Sequence, residues 1–387
     1  LTRLVSAAGL GAVIATAVAG FSFGASAAAG VTRVYTNDNT AGVNTVAGFQ
    51  HNADGTLTAL AGSPFVAGGA GTGTIIGSQG SLQSTADGRF ILAADAGSNQ
   101  ISVLRIAPDG SLAPVDGSPF SSHGIEPISI AVHGALVYVA NEGNGVSGSN
   151  YSGFRLTPLG RLIPIPGSTV ALPATANPGD ILFNSTGDNL VGVEVGTSDP
   201  NTFRIDSFLV RADGRLSPAP GSPFSAQSAG PFGSEFSPTN PSHLYVSNAH
   251  AGAGNGSVSA FNVAADGSLS SIGASPYADA QTAPCWVEIT HDGRWLFTVN
   301  TASTTISRFA ILPDGSLQLL GSTPFSSGTG IRPFDARLGP SGETLYVVDS
   351  ALDAVTAFAV DGGSLTELPS SPFHLPAGAT PFGLVAI

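Results

Sequence analysis

One phrase, Asp-Gly-Ser-Leu followed after a short run by Gly-Ser-Pro-Phe, recurs with variations seven times along this 387-residue chain. The first copy ends at Gly62-Ser63-Pro64-Phe65, and the others end at 117–120, 167–170, 221–224, 274–277, 322–325 and 370–373. A period of roughly 50 residues marks propellers and similar arrays, in which one repeat is a unit too small to bury its own faces. The unbroken array argues for one large closed domain over residues 30–387. With 51 Gly, 27 Pro and only 10% charged residues, the composition suits short strands and tight turns. No stretch after residue 30 sustains a helical period.

Each repeat holds four strand-like runs, and the sixth shows them clearly. Pro284-Cys285-Trp286-Val287-Glu288-Ile289 is followed by an Asp-Gly turn, then Trp295-Leu296-Phe297-Thr298-Val299-Asn300. Thr305-Ile306-Ser307-Arg308-Phe309-Ala310-Ile311 turns at Asp314-Gly315 into Ser316-Leu317-Gln318-Leu319-Leu320. Asp-Gly supplies the positive φ that tight hairpins need. The third run keeps one register throughout. It opens on Val46, Ile101, Tyr151, Ile205, Val258, Ile306 or Val355, and three positions on stands Phe49, Leu104, Phe154, Phe208, Phe261, Phe309 or Phe358. An odd spacing puts these two on opposite faces of a strand. Both faces are therefore apolar, as stacking between two neighbours requires. Radial stacking buries the faces and leaves only short edges. The expected fold is all-β: a seven-bladed β-propeller of four-stranded blades. Thr380-Pro381-Phe382-Gly383-Leu384-Val385-Ala386-Ile387 reads as a first strand with nothing after it, whereas the N-terminal repeat begins with a second strand. The C-terminal strand is therefore expected to join the N-terminal blade and close the ring.

The formal net charge is −13 and the chain has no Lys, so there is no basic footprint for nucleic acid or an anionic membrane. Residues 1–29 read as a secretory signal peptide: Arg3, an apolar Ala- and Gly-rich run, then Ala25-Ser26-Ala27 as a cleavage site. An uncleaved anchor is the alternative, since the run is nearly long enough to span. The expectation is a secreted monomer with no membrane attachment after cleavage. Cys285 is the only cysteine, so no internal disulfide forms.

The second runs Val137-Tyr138-Val139-Ala140-Asn141, Leu244-Tyr245-Val246-Ser247-Asn248 and Leu345-Tyr346-Val347-Val348-Asp349 resemble the YVTN-type propeller repeat. Together with the Asp-Gly turns they make residues 31–387 similar to the seven-bladed lactonase family, which includes 6-phosphogluconolactonase and carboxy-muconate cyclase relatives. The resemblance implies hydrolysis of a lactone ring and no cofactor. The family's His-Pro and Pro-Arg-His motifs are absent: the inner runs open Glu126-Pro127, Asn177-Pro178, Gly230-Pro231, Ala283-Pro284 and Arg332-Pro333. No catalytic residue is therefore carried over from it, and an exported copy would not meet a phosphorylated sugar lactone, a cytosolic metabolite.

Candidate chemistry lies where the inner runs break their pattern, at Asp180, Glu235, Glu288, Asp335 and Arg337. Glu235, Glu288 and Arg337 each stand four residues after the opening Pro, which aims two carboxylates and a guanidinium into one sector of the channel. Glu235 or Glu288 is the candidate general base and Arg337 the anion clamp. Asp180, Asp335, Arg332 and His250 are candidate substrate contacts, with a small-molecule lactone as partner. The competing structural reading is an ion network that satisfies only itself. Seven residues ending the second runs, Asn37, Asp95, Asn141, Glu194, Asn248, Asn300 and Asp349, read as turn architecture. No metal-ligand spacing occurs, and Cys285 reads as a buried apolar residue, not a nucleophile. Long loops at 142–150, 195–201 and 249–255 build a rim on the face where the inner runs begin. A non-catalytic propeller binding a protein, glycan or other cell-surface ligand there is the alternative function.

Overall fold

The recurring phrase works as two devices at the outer edge of each blade. In the computed structural model, which describes residues 1, 32–328 and 330–387, the Asp of Asp-Gly-Ser accepts from the Ser two residues on. Asp109 takes both the N–H (2.9 Å) and the hydroxyl (2.7 Å) of Ser111, and Gly110 between them holds φ +89°. Asp266–Ser268 and Asp314–Ser316 repeat the arrangement. The Ser of Gly-Ser-Pro has a different task. Its hydroxyl accepts from a third-strand N–H, as Ser63 does from Gly48 at 2.9 Å and Ser118 from Val103 at 2.9 Å. The same bond recurs at Ser168, Ser222, Ser275 and Ser371. The side chain replaces a ladder carbonyl where the outer strand breaks.

The break refines the expected four-stranded blade. In six sheets the fourth strand comes in two pieces along the third, so that Leu57–Ala59 and Phe65–Val66 both pair with Thr45–His51. Only the sixth blade, where Ser322-Thr323-Pro324 replaces Ser-Pro, carries one continuous outer strand, Leu317–Pro324. Seven such sheets follow one another around the axis. The innermost strands, in order from blade two, are Leu82–Ser84, Pro127–His133, Pro178–Phe183, Pro231–Phe236, Pro284–Ile289 and Pro333–Leu338. Blade one takes its innermost strand from the other end of the chain. Leu384–Ala386 pairs antiparallel with Arg33–Asn37, and Arg33 and Ile387 exchange both backbone bonds at 2.7 and 2.9 Å. The ring is closed as the terminal runs implied. The leader assigned to residues 1–29 lies, beyond Leu1, outside the described residues.

The core is a set of layers between blades. Phe90, Leu92, Ile101 and Val103 of blade two meet Ile130, Val137, Val139 and Phe154 of blade three. Tyr245, Val258 and Ile272 of blade five meet Val287, Leu296 and Phe309 of blade six. All fourteen of the third-strand residues spaced three apart are buried, which confirms that both faces of each blade are covered. The second-strand tyrosines tie blades together. Tyr35 donates to Gly110 O (2.7 Å), Tyr138 to Gly214 O (2.8 Å) and Tyr245 to Gly315 O (3.0 Å), each in the next blade's Asp-Gly turn.

Candidate functional site

Strand register brings one ring of side chains to a common depth in the channel. Opposite the second-strand tyrosine position stand Val385, Gln83, Ala131, Leu182, Glu235, Glu288 and Arg337, one from each blade. Six of the seven, all but Val385, line a cavity of about 310 Å³. Blades three and four contribute apolar groups to this ring, and blades two and five to seven contribute polar ones. In blades three to seven the register slips just after the opening Pro. Such bulges re-aim side chains at the inner edge.

The cavity opens on the face opposite the expected rim. His291 and Pro238, in turns between first and second strands, line its mouth. Toward the other face the channel is filled. Phe232, Trp286, Phe334 and Phe382 stack there, with Trp286–Phe334 centroids 4.9 Å apart and Phe334–Phe382 4.6 Å apart. The Gly-rich linker leaving blade one then threads through the axis as residues 76–80. The Ser78 hydroxyl donates to Ile128 O, 50 residues on, and the Ser78 carbonyl accepts from the Trp286 indole, 208 residues on, at 2.7 and 2.8 Å. Gln79 donates to Ser234 O (2.8 Å) and accepts from Val287 N (3.0 Å), while its own N–H reaches Gly179 O (2.8 Å). Gly80 N–H bonds Asp335 at 3.2 Å. Five blades therefore hold the plug, and the plug forms the floor of the cavity.

Above that floor the charges are crowded. Arg337 Nη1 lies 3.3 Å from Glu288 and 3.5 Å from Asp335 and donates to Ala336 O at 2.9 Å. Among the described residues no hydrogen bond engages its Nε or Nη2. Glu288 accepts from Leu338 N at 2.8 Å. Asp180 is held by Ser129 and by the N–H and hydroxyl of Ser234 at 2.8–3.1 Å. Burial raises all four carboxyls. Glu288 rises to about 7 although Arg337 and Leu338 N–H oppose the shift, and Asp180 to about 7 against Ser234 and Arg337. Asp335 is raised by burial against the pull of Arg337. Glu235 is pushed well above its ordinary value, by burial first and then by the charge of Glu288. Burial and mutual repulsion thus hold Glu235 and Glu288, neighbours on the cavity wall, above the ordinary carboxyl range, with Glu235 favouring its protonated form.

The sequence candidates divide accordingly. Glu235, Glu288, Arg337 and Asp180 come together on the cavity wall. Asp335 is fully buried behind Arg337 and braces the plug. Arg332 and His250 stand on the plugged face, away from the cavity: Arg332 N–H bonds Asp349, and His250 N–H bonds Ala229 O. Gln79 and Gln83 line the cavity without having been singled out, because blade two has Gln79 where the other inner strands open on Pro. Aligning the Thr-x-Asp-Gly-Arg turns at 85–89 and 290–294 would have found Gln83. Cys285 is buried with its thiol pushed up to about 12 by burial and bonded to Ala283 O, which suits a packing role. Among the described residues no three His, Cys, Asp or Glu side chains are arranged for a metal ion.

The profile of the family "Lactonase, 7-bladed beta-propeller" matches residues 43–207 and 233–382. No curated protein sequence matches the chain significantly. Among solved structures, a candidate 6-phosphogluconolactonase from Bacteroides fragilis superposes with TM-score 0.72 at 19% identity, covering 92% of this chain and 98% of its own. A candidate 6-phosphogluconolactonase from Bacteroides uniformis gives 0.72 at 20%, covering 92% and 99%. The periplasmic gluconolactonase of Pseudomonas aeruginosa gives 0.71 at 17%, also covering 92% and 99%. At these identities the likeness establishes the fold.

Proposed function

This chain belongs to the seven-bladed β-propeller lactonase family, and from that premise we propose that its channel cavity hydrolyses a lactone. The observation that carries the reading is the pairing of Glu235 and Glu288 beside one anchored guanidinium on the wall of an open cavity. Glu288, ionised, takes a proton from water as the water oxygen bonds to the lactone carbonyl carbon. The carbonyl oxygen becomes an oxyanion, and the free Nε and Nη2 of Arg337 are its donors. As the ring C–O bond breaks, neutral Glu235 gives its proton to the leaving alkoxide. Glu288 then passes the captured proton to Glu235, which restores both groups, and the product leaves as an open-chain hydroxy acid. The sequence reading of residues 1–29 as an export leader supports a setting outside the cytoplasm.

The test is proton release from lactones by purified protein. Removing the base by Glu288→Gln or the acid by Glu235→Gln is expected to lower kcat by about 10²–10⁴-fold. Activity should fall as pH drops below about 7, where Glu288 protonates, with the two carboxyls titrating as a pair. Hydrolysis that survives both substitutions would remove the mechanism.

A further inference from the structure

We infer that the ligand of this cavity is an uncharged lactone carrying an apolar substituent, neither a phosphorylated nor a polyhydroxylated one; this rests on the lactonase reading above. Charge is the first argument. Among the described residues Arg337 is the only Arg on the cavity wall, and the chain has no Lys. Its Nη1 is already committed to Glu288, Asp335 and Ala336 O. Its remaining nitrogens suffice for one carbonyl oxygen, and the only other basic side chain among the described lining residues is His291, out at the mouth. A second anionic group would instead meet the carboxylates of Glu288 and Asp180. Like charges brought together in a site screened from water repel strongly. Each further charge on a phosphate adds to that.

The second argument is the uneven ring. The acids and Arg337 occupy blades four to seven, whereas Val132, Leu182, Phe183 and Pro238 line the wall toward the mouth. All four leave apolar surface uncovered. Phe183 is held there by a tilted ring contact with His133 and an edge contact with Tyr138, at 5.9 and 6.2 Å between centroids. A lactone with its ring carbonyl against Arg337 would direct a substituent onto this wall. An alkyl group gains by burial there, and a chain of hydroxyls would lose hydrogen bonds to water without replacements.

The experiment compares kcat/KM for γ-nonalactone, D-glucono-1,5-lactone and 6-phospho-D-glucono-1,5-lactone. Calorimetry follows the binding of γ-nonalactone and 6-phosphogluconate to the wild type and to the Glu288→Gln variant. At least tenfold preference for γ-nonalactone over both sugar lactones is expected. If nothing is hydrolysed yet γ-nonalactone binds and 6-phosphogluconate does not, the lactonase reading fails and the ligand class stands. Preference for either sugar compound in turnover, tighter binding of 6-phosphogluconate, or no binding of γ-nonalactone overturns the inference.

Discussion

At the scale of single residues, blade four departs from a rule that four other blades keep. The residue ending the second strand bonds a Ser on the third: Asp95 to Ser102 (2.6 Å), Asn141 to Ser152 (3.2 Å), Asn248 to Ser259 (3.0 Å) and Asn300 to Ser307 (2.8 Å). These bonds justify reading the series as architecture. In blade four the pair is Glu194 and Asp206, two buried carboxyls close enough for one proton to bridge them, with the Tyr151 phenol donating to Asp206 at 2.9 Å. Burial first, and then the charge of Asp206, raises Glu194 to about 8. The folded protein therefore holds a proton there that the unfolded chain releases above its ordinary value near 4.5. Its stabilising effect is complete below that pH and is lost as pH rises toward about 8. Glu194→Gln keeps the donor without the titration. Thermal melts of wild type should fall between pH 5 and 9 more steeply than those of the variant, which should be the more stable by a few degrees at pH 9. Parallel curves would mean that no proton is shared.

At the scale of elements, the plug is the segment on which the cavity depends. Gly80 holds φ +80°, and a Cβ there would come within 2.9 Å of the Gln83 amide and 3.3 Å of Ser129 Oγ. Gly80→Ala should cost about 1–2 kcal/mol from backbone conformation alone, plus displacement of Gln83 and of the N–H that braces Asp335. Gly88→Ala is the control, since Gly88 has φ +65° and open space around it. Melting temperature should fall further for Gly80→Ala, and of the two only Gly80→Ala should impair lactone hydrolysis. Equal losses in both would show that the plug does not organise the site. Little of this was legible beforehand. The offset of four residues from an opening Pro was enough to group Glu235, Glu288 and Arg337. Blade two lacks that Pro, and nothing local marks its linker as a segment whose partners are Ile128, Gly179, Ser234, Trp286 and Asp335.

At the scale of the molecule, closure rests on eight residues. Phe382 and Leu384 are fully buried, and Ser81 Oγ of blade two donates to Phe382 O across 301 residues of chain at 2.8 Å. Burying each of those two side chains contributes roughly 1.5–3 kcal/mol, and their loss also strips Arg33–Asn37 of a partner strand. Deletion of residues 380–387 should lower the melting temperature by well over ten degrees or abolish cooperative unfolding. A truncated chain melting like the full-length one would contradict the ring as the source of stability.

The chain alone determined the number of blades, the apolar character of both their faces and the strand that closes them. Those follow from spacing repeated seven times, and burial of a repeated pattern has few solutions. Which end of the channel stays open was decided only in three dimensions. Trp286 and Ser78 stand 208 residues apart in the chain and meet at 2.8 Å, so the filling of one mouth depends on the radius that seven blades enclose. The same enclosure takes water from Glu235 and Glu288, and that loss of solvent, more than the choice of residue, lifts both carboxyls above their ordinary range.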